Sequence, residues 1–332
     1  MSKEKTGIGI IGVGKYIPKI QITNEFLSET TGLDANDIFK KTGIKCRYRV
    51  EDGETATSMS ATAAQQAIDM AGIDPNEIGV IVGATFSHDY IYPAMACKVQ
   101  QLIGANNAGS YDILANCTGF QVGLATVADR MKADPTIKYG LVLGTAIQSR
   151  YLDFSDIDSA LFNGDGSGAA LLGRVPKGYG ILETEIFTNP KVYESVRLRG
   201  GGSSFPMRPE NINKGLQYIE MNGMEVWKEV IQNQPRVIRR LMKKMKKNIK
   251  DVDFFIFHQA NLHLIEYLMG KMKLPMEKTY VNVTDIGNTA DASMAIALCD
   301  AVNGKMINNS DLMVITGVGA GFTFGATAIR WY

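Results

Sequence analysis

The chain is poor in several residues that announce function. It has three histidines, two tryptophans and four cysteines in 332 residues. It also lacks an excess of either charge: 35 lysines and arginines stand against 34 aspartates and glutamates, for a net charge of +1. No global field therefore draws nucleic acid or an anionic membrane, and an electrostatic partner has to be met by a local patch. The cysteines, at 46, 97, 117 and 299, form no CxxC or CxxH pair. That spacing excludes a structural zinc module, and four are too few for a disulfide scaffold in a chain this long. No stretch of 18 apolar residues is present, and the opening MSKEKTGIGIIG carries no apolar leader. The composition predicts a cytoplasmic, soluble protein with reduced thiols and no metal.

What is present is an α/β pattern, apolar runs alternating with amphipathic helical stretches. A helix is expected over 55–71, with Met59, Ala63, Ala67 and Met70 on one face and Gly72 closing it. Strands are expected at 78–84, 111–115 and 140–145, with helices near 94–103 and 117–132. The order then recurs: a helix over 224–247, a strand 253–257, a helix 261–272, a strand 279–283, a helix 289–303 and a strand 312–316. Ile78 corresponds to Val252 at an offset of 174, and Val142 to Val314 at 172. Two similar halves, 1–175 and 176–332, are expected to pack as one layered body.

The duplication gives three polar residues a common setting. At an offset of 172, Cys117 corresponds to Thr289, next to Asn288, so both fall at the start of equivalent helices. His258 directly follows an apolar strand. Ligands of open α/β sheets gather at strand carboxyl ends and helix N-termini. Cys117, in DILANCTGF, is placed for a thiolate favoured by a helix N-terminus; the alternative is an inert core cysteine, which also describes Cys97 and Cys299. His258, in FFIFHQAN, is either reactive or a satisfied core histidine, and Asn288, in DIGNTADAS, is either functional or a helix cap. The loop GVGAGFTFG, 317–325, can aim backbone N–H groups at an oxyanion or simply turn the chain. Gly7-x-Gly9-x-x-Gly12 matches a dinucleotide fingerprint, but the glycines sit inside the first strand and no helix follows, so NAD is excluded.

Together these four motifs, in this order and spacing, resemble β-ketoacyl-acyl-carrier-protein synthase III of the thiolase superfamily. The likeness extends to GIIGVGKYIP, KTGI, YPAMACKVQ, FNGDGSGAALL and MNGMEVW, and so covers nearly the whole chain. It implies an α/β thiolase fold, duplicated βαβαβ halves in a five-layered α-β-α-β-α body. It implies Cys117 as nucleophile, His258 and Asn288 as its partners, and an oxyanion hole from the backbone N–H groups of Cys117 and Ala320, where the family usually has glycine. The implied reaction is acyl transfer to Cys117 followed by decarboxylative condensation with malonyl-acyl carrier protein, without metal or nucleotide. The rival on this scaffold is transfer of the acyl group to a hydroxyl or amine.

The same resemblance implies substrate contacts at Tyr92, Asn261, Gly223 and Lys41, with Tyr92 reaching across a homodimer to limit acyl length. Where the family stacks a tryptophan on coenzyme A this chain has Asp37, and two nucleotide-holding arginines correspond to Lys41 and Ile157. Coenzyme A is therefore a weakened primer carrier relative to acyl carrier protein. His263 stands where an arginine usually meets the carrier protein. The run RVIRRLMKKMKKNIK, 236–250, has eight basic residues and no acid. It is either a solvated helix face or, through Lys243, Lys244 and Lys247, a dock for the acidic carrier.

Overall fold

The computed structural model describes residues 6–212 and 214–332; the opening MSKEK, part of the leader reading, lies outside them. In the first half the elements are β1 (Gly7–Tyr16), β2 (Ile20–Thr23), α1 (Asn24–Thr31), α2 (Ala35–Thr42), β3 (Cys46–Arg49), α3 (Ala56–Ala71), β4 (Ile78–Ala84), α4 (Met95–Leu102), β5 (Gly109–Ile113), α5 (Gly119–Ala133), β6 (Tyr139–Ala146) and β7 (Gly166–Val175). The second half has β8 (Gly180–Thr188), β9 (Val196–Leu198), α6 (Pro209–Ile212), β10 (Ile219–Met221), α7 (Gly223–Lys244), β11 (Phe254–Phe257), α8 (Leu262–Met272), α9 (Val283–Ile286), α10 (Ser293–Asn303), β12 (Leu312–Gly319) and β13 (Thr323–Arg330).

Two sheets repeat one topology. The first runs β1-β7-β6-β4-β5 and the second β8-β13-β12-β11. The parallel strands β4, β6, β11 and β12 come from the continuous apolar runs that strands buried on both faces require, whereas β5 (GSYDI), at the sheet edge, is half polar and partly exposed. Helices α5 and α10 lie between the sheets; α3 and α4 cover one outer face, α7 and α8 the other. Three buried clusters fill the three interfaces, with Phe120, Leu124, Met294 and Leu298 in the middle one. This is the five-layered α-β-α-β-α body implied by the resemblance.

Local chemistry explains most boundaries. Helix α3 opens on a capping box between Thr55 and Ser58 and closes on Gly72 at φ 65°. Met59, Ala63 and Ala67 are buried as expected, but Met70 is 47% exposed and sits at the rim. The glycines of β1 serve packing: a Cβ at Gly12 or Gly14 would overlap the carbonyl oxygens of Ala67 or Ala63 in α3. Among the described residues, no helix is long and apolar enough to cross a membrane.

Several expectations shift. The strand expected over 111–115 lies two residues earlier, freeing Leu114 and Ala115 to lead into the Cys117 turn. The strand expected at 279–283 is reduced to one bridge between Thr279 and Phe255. The reason is the buried Gln259 side chain, whose Oε1 accepts from Asn282 N (3.1 Å) and Val283 N (3.4 Å) in place of a sheet neighbour. The glycine-rich segment is mostly hairpin: 317–319 ends β12, 323–325 begins β13, and only 320–322 turns. Cys97 is exposed on α4, unlike the core cysteine Cys299.

Candidate active site

The inner helices α5 and α10 are each preceded by a one-turn 3-10 segment, Asn116–Thr118 and Ala290–Ala292. Both turns begin on a left-handed residue, Asn116 at φ 47° and Ala290 at φ 42°. They therefore superpose at an offset of 174, and the counterpart of Cys117 is Asp291 rather than Thr289. Each turn packs against the other, so both helix starts meet at one place between the sheets.

The hairpin after β12 closes one side. A Cβ built on Gly319 would collide with Ala115 O and stand 3.2 Å from Cys117 N. Asn116 Nδ2 donates to Ala320 O (3.1 Å), which ties the turn of the hairpin to the Cys117 turn. The backbone N–H groups of Cys117 and Ala320 are thus on neighbouring segments. Ala320 is not among the residues with positive φ, so its Cβ brings no left-handed strain where glycine is usual.

His258 leaves the end of β11, its N donating to Thr316 O (2.9 Å). It is 8% exposed, and burial lowers its pKa from 6.5 to about 4, so the ring is neutral near pH 7. Nδ1 shares a 2.7 Å hydrogen bond with Ser293 Oγ at the start of α10. Its Cβ lies 3.3 Å from a Cβ built on Gly317. Gly317 and Gly319 face the same side of β12, so His258 and the Cys117 turn flank one strand end, roughly 7 Å apart along it.

Asn288 is fixed by its backbone. Its N donates to Phe162 O (2.8 Å), and its O accepts from Gly164 N (2.9 Å) and Gln148 Nε2 (2.6 Å). Its Oδ1 accepts from Ala290 N (2.9 Å). This is a local turn ahead of the helix rather than a cap, since Thr289 and Ala292 hold the cap positions, and it leaves Nδ2 without a hydrogen bond among the described residues. A second half loop is in this way threaded into the first half at the site.

The electrostatics correct one expectation. Cys117, half-buried, does not have a lowered pKa: burial pushes the thiol well up, and the neighbouring Asp291 adds to the shift. Asp291 is fully buried, and burial raises its pKa from 3.8 to about 7. Sequence reasoning missed Asp291 and Ser293, although both stand inside DIGNTADAS; an offset of 174 in place of 172 points to Asp291.

The other expected residues lie outside this cluster. Tyr92 is 85% exposed on the 85–94 loop. Asn261 caps α8, its Oδ1 accepting from Leu264 N (2.9 Å), and Gly223 opens α7 in free space. Lys41 faces Asp158 at 3.9 Å, beside Ile157, and Asp37 pairs with Lys40 at 2.9 Å. His263 Nε2 donates to Lys40 O (2.9 Å). Of the basic run, Val237 and Leu241 are buried as expected, and Lys243 and Lys247 are exposed. Lys244 is half exposed and already paired with Glu185 of β8 at 2.6 Å, as is Arg240. No group of acidic, histidine or cysteine side chains suited to a metal occurs among the described residues.

The fold and the cluster define a condensing acyltransferase of the thiolase fold. The profile of 3-oxoacyl-[acyl-carrier-protein (ACP)] synthase III matches residues 111–190, and that of its C-terminal part matches 242–331. Beta-ketoacyl-[acyl-carrier-protein] synthase III of Natranaerobius thermophilus is 36% identical over 326 residues, covering 97% of this chain and 98% of that protein. The enzyme of the same name from Clostridioides difficile is 34% identical, covering 98% and 99%. The crystal structure of 3-oxoacyl-[acyl-carrier-protein] synthase III from Aquifex aeolicus superposes with a TM-score of 0.89 at 32% identity, covering 98% of this chain and 100% of that one. The priming β-ketosynthase of the R1128 polyketide pathway gives 0.90 at 25% identity, covering 100% and 98%. The chain belongs to the 3-oxoacyl-acyl-carrier-protein synthase III family.

Proposed function

We propose that Cys117 takes an acyl group from a thioester donor and that this group is then joined to a malonyl unit on acyl carrier protein, releasing carbon dioxide and a β-ketoacyl thioester. The observation that carries the reading is the meeting of the Cys117 turn, His258 and Asn288 at the facing starts of α5 and α10. In the first half-reaction the Cys117 sulfur attacks the acyl carbon, and the developing oxyanion is met by the N–H groups of Cys117 and Ala320. In the second, the carboxylate bond of the malonyl group breaks and its electron pair enters the enolate. Neutral His258 and the Asn288 amide donate to the thioester oxygen that bears this charge. These roles require the Ser293 hydroxyl to donate to Nδ1, which leaves the ring proton on Nε2, and Nδ2 is the free end of Asn288; both are then donors. The enolate carbon attacks the acyl-cysteine, and the Cys117 sulfur leaves. This division assigns the nucleophile to 1–175 and the two donors to 176–332.

A homodimer accounts for Tyr92. Strand β5 has a free edge, and Tyr90, Ile91, Tyr92 and Leu114 are 72%, 82%, 85% and 68% exposed. Pairing of two copies there covers this apolar surface and carries Tyr92 toward the partner's acyl chamber. For the carrier protein, Lys243 and Lys247 remain as docking charges, with His263 at the mouth, and Asn261, Gly223 and Lys41 line the approach. Intact-protein mass spectrometry with acyl-coenzyme A and acyl-carrier donors tests the reading. A mass gain at Cys117, followed by carbon dioxide release from malonyl-carrier, is expected. No gain with any donor, or a gain that persists in Cys117→Ala, overturns it, and transfer to a hydroxyl without carbon dioxide makes the chain the rival acyltransferase.

A further inference from the structure

Asp291 is not accounted for by the three proposed roles. Its side chain is fully buried, and both carboxylate oxygens lack any hydrogen-bond partner. An unpaired buried carboxylate costs several kcal/mol by the general rule for buried ions, so it is not a packing choice. It faces the nucleophile's own turn: a Cβ built on Gly119, two residues after Cys117, would lie 3.1 Å from Asp291 Oδ1. The elements packed against the Asp291 turn are the Cys117 turn, β6, β7, α5 and α10. Their other titratable or charged groups, Tyr139 on β6, Arg174 on β7, Asp129, Arg130 and Lys132 on α5, and Cys299 and Asp300 on α10, all sit at the far ends. Cys117 is the one such group at the near end, and His258 is reached through Ser293. Among the described residues no cation pairs with the carboxylate.

We propose that Asp291 is the acceptor of the Cys117 thiol proton during acyl loading, an inference that rests on Cys117 being the nucleophile. The S–H bond breaks and its proton passes to an Asp291 oxygen through one water, since thiol and carboxylate make no direct hydrogen bond in the resting structure. The sulfur pair forms the bond to the acyl carbon, and the carbonyl π pair moves to oxygen. When that oxyanion collapses, the bond to the carrier's sulfur breaks. The departing thiolate takes the proton from the Asp291 carboxylic acid, and the carboxylate is restored. The site holds one negative charge throughout; it moves from the carboxylate to the oxyanion, then to the departing sulfur and back to the carboxylate, and no second charge is added. Burial brings the Asp291 carboxyl to about 7, near the best value for a base working at neutral pH, whereas His258 near 4 is a weak acceptor.

The test is the single-turnover rate of Cys117 acylation by acetyl and butyryl groups, each offered on coenzyme A and on acyl carrier protein, followed by mass from pH 5.5 to 9.5. In the unaltered protein the rate is expected to rise through a limb near pH 7. In Asp291→Asn, of the same shape and without the unpaired charge, it falls about 100-fold at pH 7 and the limb disappears. Equal or faster loading by Asp291→Asn overturns the proposal, since removing a merely repulsive neighbour frees the thiolate. Should that variant not fold, the unaltered profile still decides: a limb at pH 8.5 or above overturns it too. If the unaltered protein takes no acyl group at Cys117, the nucleophile reading itself has failed, which is a different result.

Discussion

Gly319→Ala probes the oxyanion hole without touching a reactive side chain. The added Cβ falls on Ala115 O and 3.2 Å from Cys117 N, and both obstacles are backbone, so no rotamer change relieves the overlap. The β12 hairpin and the Cys117 turn must separate by on the order of 1 Å, at a cost typical of overpacking, about 1–3 kcal/mol. The same shift draws the N–H groups of Ala320 and Cys117 apart. Losing one such donor costs about 10²–10³ in rate, and a misplacement near 1 Å about 10². The expected outcome is a folded protein melting a few degrees lower, with acyl loading slowed about 100-fold in single-turnover mass spectrometry. Gly270→Ala on α8 is the control: nothing lies within 4 Å of its added Cβ, and exchanging glycine for alanine inside a helix adds about 1 kcal/mol of stability. A Gly319→Ala protein that loads at the unaltered rate refutes the placement of the hole at this hairpin.

Ser293→Ala leaves His258 Nδ1 buried without its partner, at about 1–3 kcal/mol of stability, and frees the ring to take the wrong tautomer. Carbon dioxide release should then fall at least tenfold more than acyl loading; equal losses in the two steps would show that Ser293 acts on the fold alone. Asp291→Asn changes the pH dependence of stability in a defined direction. The folded state holds the Asp291 proton up to about pH 7 and the unfolded chain only to about 4, so unfolding free energy falls as pH rises between them. Denaturant titrations should find the variant equal to the unaltered protein at pH 4 and more stable at pH 8, by at most ~4 kcal/mol; a difference independent of pH refutes the raised carboxyl. Removing both Arg240 and Lys244 strands Glu185, which is 3% exposed, and should cost about 3–5 kcal/mol in the same titration. Lys243→Glu with Lys247→Glu, by contrast, should leave stability unchanged and raise KM for carrier-bound substrate, and an unchanged KM removes the docking role.

Much of the scaffold is legible because buried parallel strands write themselves as unbroken apolar runs, as in Ile78–Ala84 and Phe254–Phe257. Caps are equally local, which is why Gly72 is placed correctly from its neighbours. The misreadings share one cause, a partner distant in sequence. Thr279–Val283 has strand composition, but the Gln259 amide takes its backbone donors. The basic run on α7 looks free until Glu185, some sixty residues earlier, is folded against it. Cys117 looks activated by its helix, yet burial and a carboxyl from the other half reverse the sign. Asp291 itself is unremarkable as one acid ahead of a helix; only its burial and lack of partners single it out.

The duplication also explains why the molecule has one site of this kind and not two. At the offset of 174, His258 corresponds to Ala84, Asn288 to Leu114, Ser293 to Gly119 and Cys117 to Asp291. Each half thus keeps the strand end, the turn and the helix start, but the side chains have been divided between them. Ala84 and Gly119 are packed too closely for side chains like His258 and Ser293: a Cβ built on Gly119 falls 2.8 Å from Ala84 Cβ and 3.1 Å from Asp291 Oδ1. Leu114, in the place of Asn288, is 68% exposed on the free-edge side. On the proposed roles, the half that holds Cys117 has no donors of its own, and the half that holds His258 and Asn288 has an acid where Cys117 would be. If that acid serves Cys117 as its base, the second turn has not lost its part in the chemistry. It works on the nucleophile of the first, and neither half can run the reaction alone.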